Sequence, residues 1–120
     1  MIEQVTKFQK VEESLSKSKG PFELFGLFLR EDSPGKWDLL ISADWAKFNK
    51  MASIKTIAEE LRKELTDKEF INISRIIILD EDDEKIKSIR KAARIANGVA
   101  EISAFDFLGI AIKHAYLINS

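Results

Sequence analysis

Residues 24 to 29 read Leu-Phe-Gly-Leu-Phe-Leu, and no apolar stretch in the chain is longer. Such a run falls far short of the roughly 20 residues that a membrane-spanning helix needs, and its length suits a strand. Phe22, Leu24 and Phe28 fall on one alternating set, and Phe25, Leu27 and Leu29 on the other. A strand that is apolar on both sets must be covered on both faces. The chain is therefore constrained to build layers around a sheet.

The rest of the sequence supplies those layers. Ile2, Val5, Phe8, Val11 and Leu15 recur every three or four residues and mark an amphipathic helix that Gly20-Pro21 ends. Pro34-Gly35 has the residue types of a type II turn, so Phe22–Arg30 and Trp37–Asp44 are expected to form a hairpin. The second arm alternates Trp37, Leu39, Ile41 and Ala43 with Asp38, Leu40, Ser42 and Asp44, which predicts one wetter face. Met51, Ile54, Ile57, Leu61 and Leu65 predict a second helix with Asn49 as N-cap. Thr66 and Glu69 have capping-box spacing, with Leu65 and Phe70 placed as a hydrophobic staple, so a short separate helix follows. Arg75–Leu79 is a β-branched run apolar on both sets and reads as a central strand. Ile86, Ile89, Ala93 and Ala96 predict a third long helix, acidic at its start and basic toward its end. Val99–Phe107 and Ile110–Ile118 then form a closing hairpin. The order αββα(α)βαββ predicts an α+β fold: one domain over 1–120, with a single mixed sheet of about five strands and three to four packed helices.

Composition limits the chemistry. At 120 residues and 45% apolar content the chain can bury a core without disulfide or metal. It holds no cysteine, which excludes thiolate metal sites and cysteine nucleophiles. A net charge of −1 argues against a general polyanion binder. Charges break Met1–Lys19 every few residues, leaving no signal-peptide core, so a cytoplasmic protein without membrane attachment is expected. The glycines form neither Gly-x-Gly-x-x-Gly nor a Walker loop, and no cofactor is expected.

Three groups of residues are candidates for a site. The carboxylates Asp38, Asp44 and Asp80, with Glu101 and Asp106 near another strand, could hold a divalent cation beside Lys113 or His114. Nucleases that place an acid on one strand and an acid-x-Lys triplet on the next have this layout, but Ala111 stands where the second acid belongs before Lys113. Solvated faces and helix starts account for the same acids. His114, the one histidine, shares an alternating set with Ile110, Ile112, Tyr116 and Ile118, and no Gly-x-Ser-x-Gly elbow accompanies it. Lys87, Arg90, Lys91 and Arg94, with Lys85, form a cationic helix stripe that could touch nucleic acid, or a solvated face balanced by 80–84. Trp37, Trp45 and Phe48 are the aromatic candidates for partner binding, against the alternative that the tryptophans close the core.

Phe-Gly-Leu-Phe-Leu-Arg at 25–30, Pro-Gly-Lys-Trp-Asp-Leu-Leu-Ile-Ser-Ala at 34–43, Ser-Arg-Ile-Ile-Ile-Leu at 74–79 and Ile-Lys-His-Ala-Tyr at 112–116 together resemble a group of small prokaryotic α/β proteins with no assigned activity. The resemblance implies a prokaryotic cytoplasmic protein and brings no catalytic residue with it. The function expected from the residues themselves is a non-enzymatic protein-interaction or self-associating module, homodimeric through an aromatic surface or an edge strand. The alternatives are a divalent-metal-dependent hydrolase using the strand-end carboxylates and a weak nucleic-acid binder using the helix at 85–94.

Overall fold

A computed structural model describes residues 2–32, 34–80, 83, 84, 87, 100–107 and 110–119. Helix α1 (Ile2–Ser18) leads into the hairpin β1 (Leu24–Arg30) and β2 (Trp37–Ser42). Gly35 sits at φ +76°, the left-handed conformation its turn requires. A single 3-10 turn (Asp44–Ala46), helix α2 (Lys50–Glu64) and short helix α3 (Asp67–Ile71) follow. Strands β3 (Ile73–Ile78), β4 (Ala100–Phe107) and β5 (Ile110–Asn119) complete the described elements. They form the expected mixed five-stranded sheet, ordered β3-β2-β1-β5-β4, in which only the β2–β3 pair is parallel. The helix expected around Ile86, Ile89, Ala93 and Ala96 lies outside the described residues.

The two predicted caps are built as their residues dictate. Asn49 Oδ1 accepts the Ala52 N–H at 3.1 Å and opens α2. Thr66 Oγ1 accepts the Glu69 N–H at 3.2 Å, while Glu69 Oε1 accepts the Thr66 N–H at 2.8 Å, which starts α3 independently of α2. The same Glu69 oxygen takes the Lys7 ammonium at 2.6 Å and ties α3 to α1. With the Lys7 hydrogen bond as the largest cause and the Thr66 N–H second, the Glu69 carboxyl titrates at about 2 instead of its ordinary 4.5.

Each face of the sheet carries its own apolar cluster. On the first, Val5, Phe8, Val11 and Leu15 of α1 and Ile57 and Leu61 of α2 cover Phe25, Leu27, Leu39, Ile41, Tyr116 and Ile118. On the second, Leu24, Phe28, Leu40, Leu79, Ile112, Ala115 and Leu117 are buried together. Gly26 belongs to this crowded face: a Cβ there would stand 2.9 Å from both Leu117 Cδ2 and Phe28 Cε1.

Three sequence expectations are corrected, and the place of the last strand, left open by the sequence, is fixed. Strand β2 has no wet face; all six residues are buried, with Leu40 in the second cluster and Asp38 between Arg30 and Arg75. Strand β3 is an edge, paired with β2 alone; apolar residues on both sets report cover above and below a strand, not neighbours on both sides. The last strand, β5, is interior, between β1 and β4, so its backbone is not an edge open to another subunit. Met51 leaves the buried stripe of α2 and stands 79% exposed, since the buried line of the helix runs through Ser53, Ile57 and Leu61.

Candidate functional site

Two irregularities in strand pairing shape one end of the second face. Between Trp37 and Asp38 the β2–β3 register slips, which brings Arg75 opposite Asp38. Between Leu29 and Arg30 the β1–β5 register slips, which brings Ile112 opposite Arg30. Such bulges re-aim side chains without ending a strand. Phe28 pairs directly with Asp38, so Arg30, two residues on, is its diagonal neighbour. Three charged side chains from three strands thereby meet. Arg30 Nε lies 3.2 Å from Asp38 Oδ2, and Arg75 Nη2 donates to the same oxygen at 3.1 Å. The Asp38 side chain is 5% exposed, against 25% for Arg30 and 49% for Arg75. Its second oxygen, Oδ1, is buried and has no hydrogen-bond partner among the described residues.

These three residues line a cavity of about 270 Å³ whose other walls are apolar, chiefly Phe28, Leu40, Ile77, Ile110 and Ile112. Sequence reasoning singled out Asp38 but missed both arginines. Strand alternation does place Arg30 on the set of Phe28, and that is the one local signal available.

The other acidic candidates stand elsewhere. Asp44 is exposed in the 3-10 turn and pairs with Lys47 at 3.2 Å. Asp80 pairs with Lys50 at 3.5 Å. Because Arg75 is opposite Asp38 in a parallel pair, Asp80 lies five residues farther along, about 16 Å at the rise of a strand. Lys113 is exposed on β5. His114 pairs with Leu29 and its ring packs 4.8 Å from that of Tyr116, on the helix-covered face, so the sheet separates it from Asp38. The register slip beside Arg30 also breaks the alternation that grouped His114 with Ile112, which turns to the second face. His114 Nε2 lies against Glu101 Oε1. Burial, and secondarily the Glu101 charge, raises the Tyr116 hydroxyl above its ordinary pKa of 10.0. Asp106 pairs with Ala111 in the β4–β5 ladder. Among the described residues, no group of three or more His, Asp or Glu side chains is arranged to hold a metal ion.

The aromatic candidates divide. Trp37 is 8% exposed and packs 5.6 Å from the Tyr116 ring, so it takes the core alternative and offers no anchor to a partner. Trp45 is half-buried against Phe22, and its Nε1–H donates to the Gly20 carbonyl at 3.0 Å, which clamps the exit of α1. Phe48 is 85% exposed, with the Lys47 ammonium 5.8 Å from its ring centroid. Trp45, Phe48, Asn49, Ala52, Ser53 and Lys19 line a shallow groove of about 250 Å³ at the entry to α2. Met51 adds a second exposed apolar side chain at that entry. The aperiodic stretch Asp44–Lys50 was the sequence signal for this surface, and Met51 was missed because its spacing fits the buried stripe.

Of the nucleic-acid candidates, Lys87 is exposed, and Arg90, Lys91 and Arg94, with Lys85, lie outside the described residues. Among the described residues, no helix is long and apolar enough to cross a membrane. No protein-family model, curated protein or solved structure matches the chain.

Proposed function

We propose that the protein is a non-enzymatic interaction module that self-associates through the surface formed by Trp45, Phe48 and Met51. The observation that carries this reading is the exposure of two large apolar side chains, Phe48 at 85% and Met51 at 79%, beside a groove floored by a third. Large apolar side chains exposed within a few residues of one another mark an association site more often than a single exposed residue does. Around this surface Lys47 pairs with Asp44 and Lys50 with Asp80, so that beside the Lys19 that lines the groove the rim is polar and mostly charge-paired, as the rim of an interface between two copies is.

Magnitudes set the strength. Burying one such side chain contributes about 2 kcal/mol, so a symmetric contact that buries Phe48 and Met51 from each copy gains about 8 kcal/mol. Lost translational and rotational freedom offsets about 4 kcal/mol or more of this. The dimer is therefore weak and concentration-dependent. Sedimentation equilibrium from low micromolar to near-millimolar protein tests it: the weight-average mass rises with concentration, and Phe48→Ser with Met51→Ser holds it at the monomer value. A mass that stays monomeric over the whole range, or a rise unchanged in the double variant, overturns the reading.

A further inference from the structure

We propose that Met51 is a redox-responsive modification site: an oxidant of the peroxide class converts its thioether to the sulfoxide, and the modified surface self-associates more weakly. The inference rests on the association surface proposed above and adds the chemistry that switches it.

Composition, exposure and place single out this side chain together. The chain has two methionines and no cysteine, so no thiol takes an oxidant before the thioethers do. Met51 is 79% exposed, and the oxidation of a sulfur follows its access to solvent. It is also the second residue of α2, a few positions from the exposed Phe48. A helical side chain covers the turn that precedes its own Cα, so Met51 leans toward the helix start, where Phe48 lies. Folding does not depend on it: the buried line of α2 runs through Ser53, Ile57 and Leu61, and the Asn49 cap holds the Ala52 N–H.

The step transfers one oxygen atom and two electrons. A sulfur lone pair attacks one oxygen of hydrogen peroxide, the S–O bond forms as the O–O bond breaks, and the other oxygen takes the proton of the transferred one and leaves as water. The thioether is oxidised and the peroxide reduced. The product is a polar group with a strong hydrogen-bond acceptor and no donor. Water satisfies that oxygen in the free chain, whereas contact with the apolar surface of a second copy desolvates it without a partner. Each copy brings one Met51 to the contact. Losing the burial of a thioether therefore weakens the dissociation constant about tenfold per sulfoxide and about a hundredfold for both. The coupling is reciprocal, so association covers Met51 and slows its oxidation.

Full-length protein is treated with hydrogen peroxide, the added oxygen at Met51 is verified by mass spectrometry of its peptide, and sedimentation equilibrium is compared before and after. Met51→Leu, equally apolar but without sulfur, receives the same treatment and separates the effect of Met51 from that of Met1. Untreated wild type and Met51→Leu with or without peroxide are expected to associate alike. The oxidised wild type is expected to associate about a hundredfold more weakly while its amide spectrum stays folded. Met51→Gln, polar and of similar length, is expected to associate as weakly without peroxide. At a fixed excess of peroxide, the rate constant for oxidation is expected to fall as protein concentration rises. Undiminished association with Met51 oxidised, an equal loss in treated Met51→Leu, or an oxidation rate constant independent of concentration in a protein that does associate would overturn the inference and leave the association surface standing. Untreated protein that stays monomeric overturns both.

Discussion

The two faces of the sheet are equally dry but differently made. Under α1 and α2, the described cover over Phe25, Leu27, Leu39 and Ile41 is chiefly apolar and carries no buried carboxylate. On the opposite face, Leu24, Phe28, Ala115 and Leu117 are as deeply buried, yet one end of the layer is given to a carboxylate and two guanidiniums. Well-packed apolar residues generally stabilise such a position at least as well as an ion triad. The difference therefore separates a face built for stability from one that carries a feature stability does not require.

That comparison can be broken by mutation. The largest effect belongs to the first face: Phe8→Ala, in a side chain 1% exposed, should cost about 3–5 kcal/mol in urea unfolding. On the second face Asp38→Ala should cost about 1–3 kcal/mol, because Arg75 loses its partner and Arg30 keeps only Asp32 at 3.8 Å, although both reach water in part. The combined variant Arg30→Met, Asp38→Leu and Arg75→Met should recover that loss and end level with the wild type or above it. If the triple variant is as unstable as Asp38→Ala, the triad is structural and the contrast between the faces fails.

Smaller effects sharpen the first face. Thr66→Ala removes one half of the capping box on α3 and should cost about 1 kcal/mol by the same measurement. The Lys7–Glu69 contact adds a pH dependence. Since Glu69 titrates at about 2 folded against 4.5 ordinarily, the unfolded chain binds the proton first. The contribution is complete above about pH 4.5 and disappears as the pH falls toward about 2. Denaturation midpoints measured across that window should fall less steeply in Glu69→Gln than in the wild type.

What was legible in the sequence was local. The Thr66–Glu69 box, the Asn49 cap, the Pro34-Gly35 turn and the α1 stripe from Val5 to Leu15 each depend on residues within a few turns of one another, and each formed as read. Burial of Asp38 was not legible. Alternation assigns a side chain to a face, but what covers that face comes from distant chain. Arg75 reaches Asp38 from 37 residues away, through a register slip that no local pattern announces. The edge position of β3 was missed for a related reason, since strand order is a property of the pairing and leaves little trace in a strand's own residues. The exposed pair at the entry to α2 was half seen. Phe48 stands in a stretch without period, whereas Met51 keeps helical spacing but lies off the line Ser53, Ile57 and Leu61 that the helix buries.

The central claim, association through the α2 entry, is tested most directly by intermolecular contacts in a mixed sample. Half of the chains carry a ¹³C-labelled Met51 methyl in a deuterated background, and half are unlabelled. At near-millimolar total concentration the account predicts nuclear Overhauser effects from that methyl to the Phe48 ring protons of the unlabelled chains. A Met51 methyl that shows no such transfer, and whose chemical shift does not move with concentration, would contradict it.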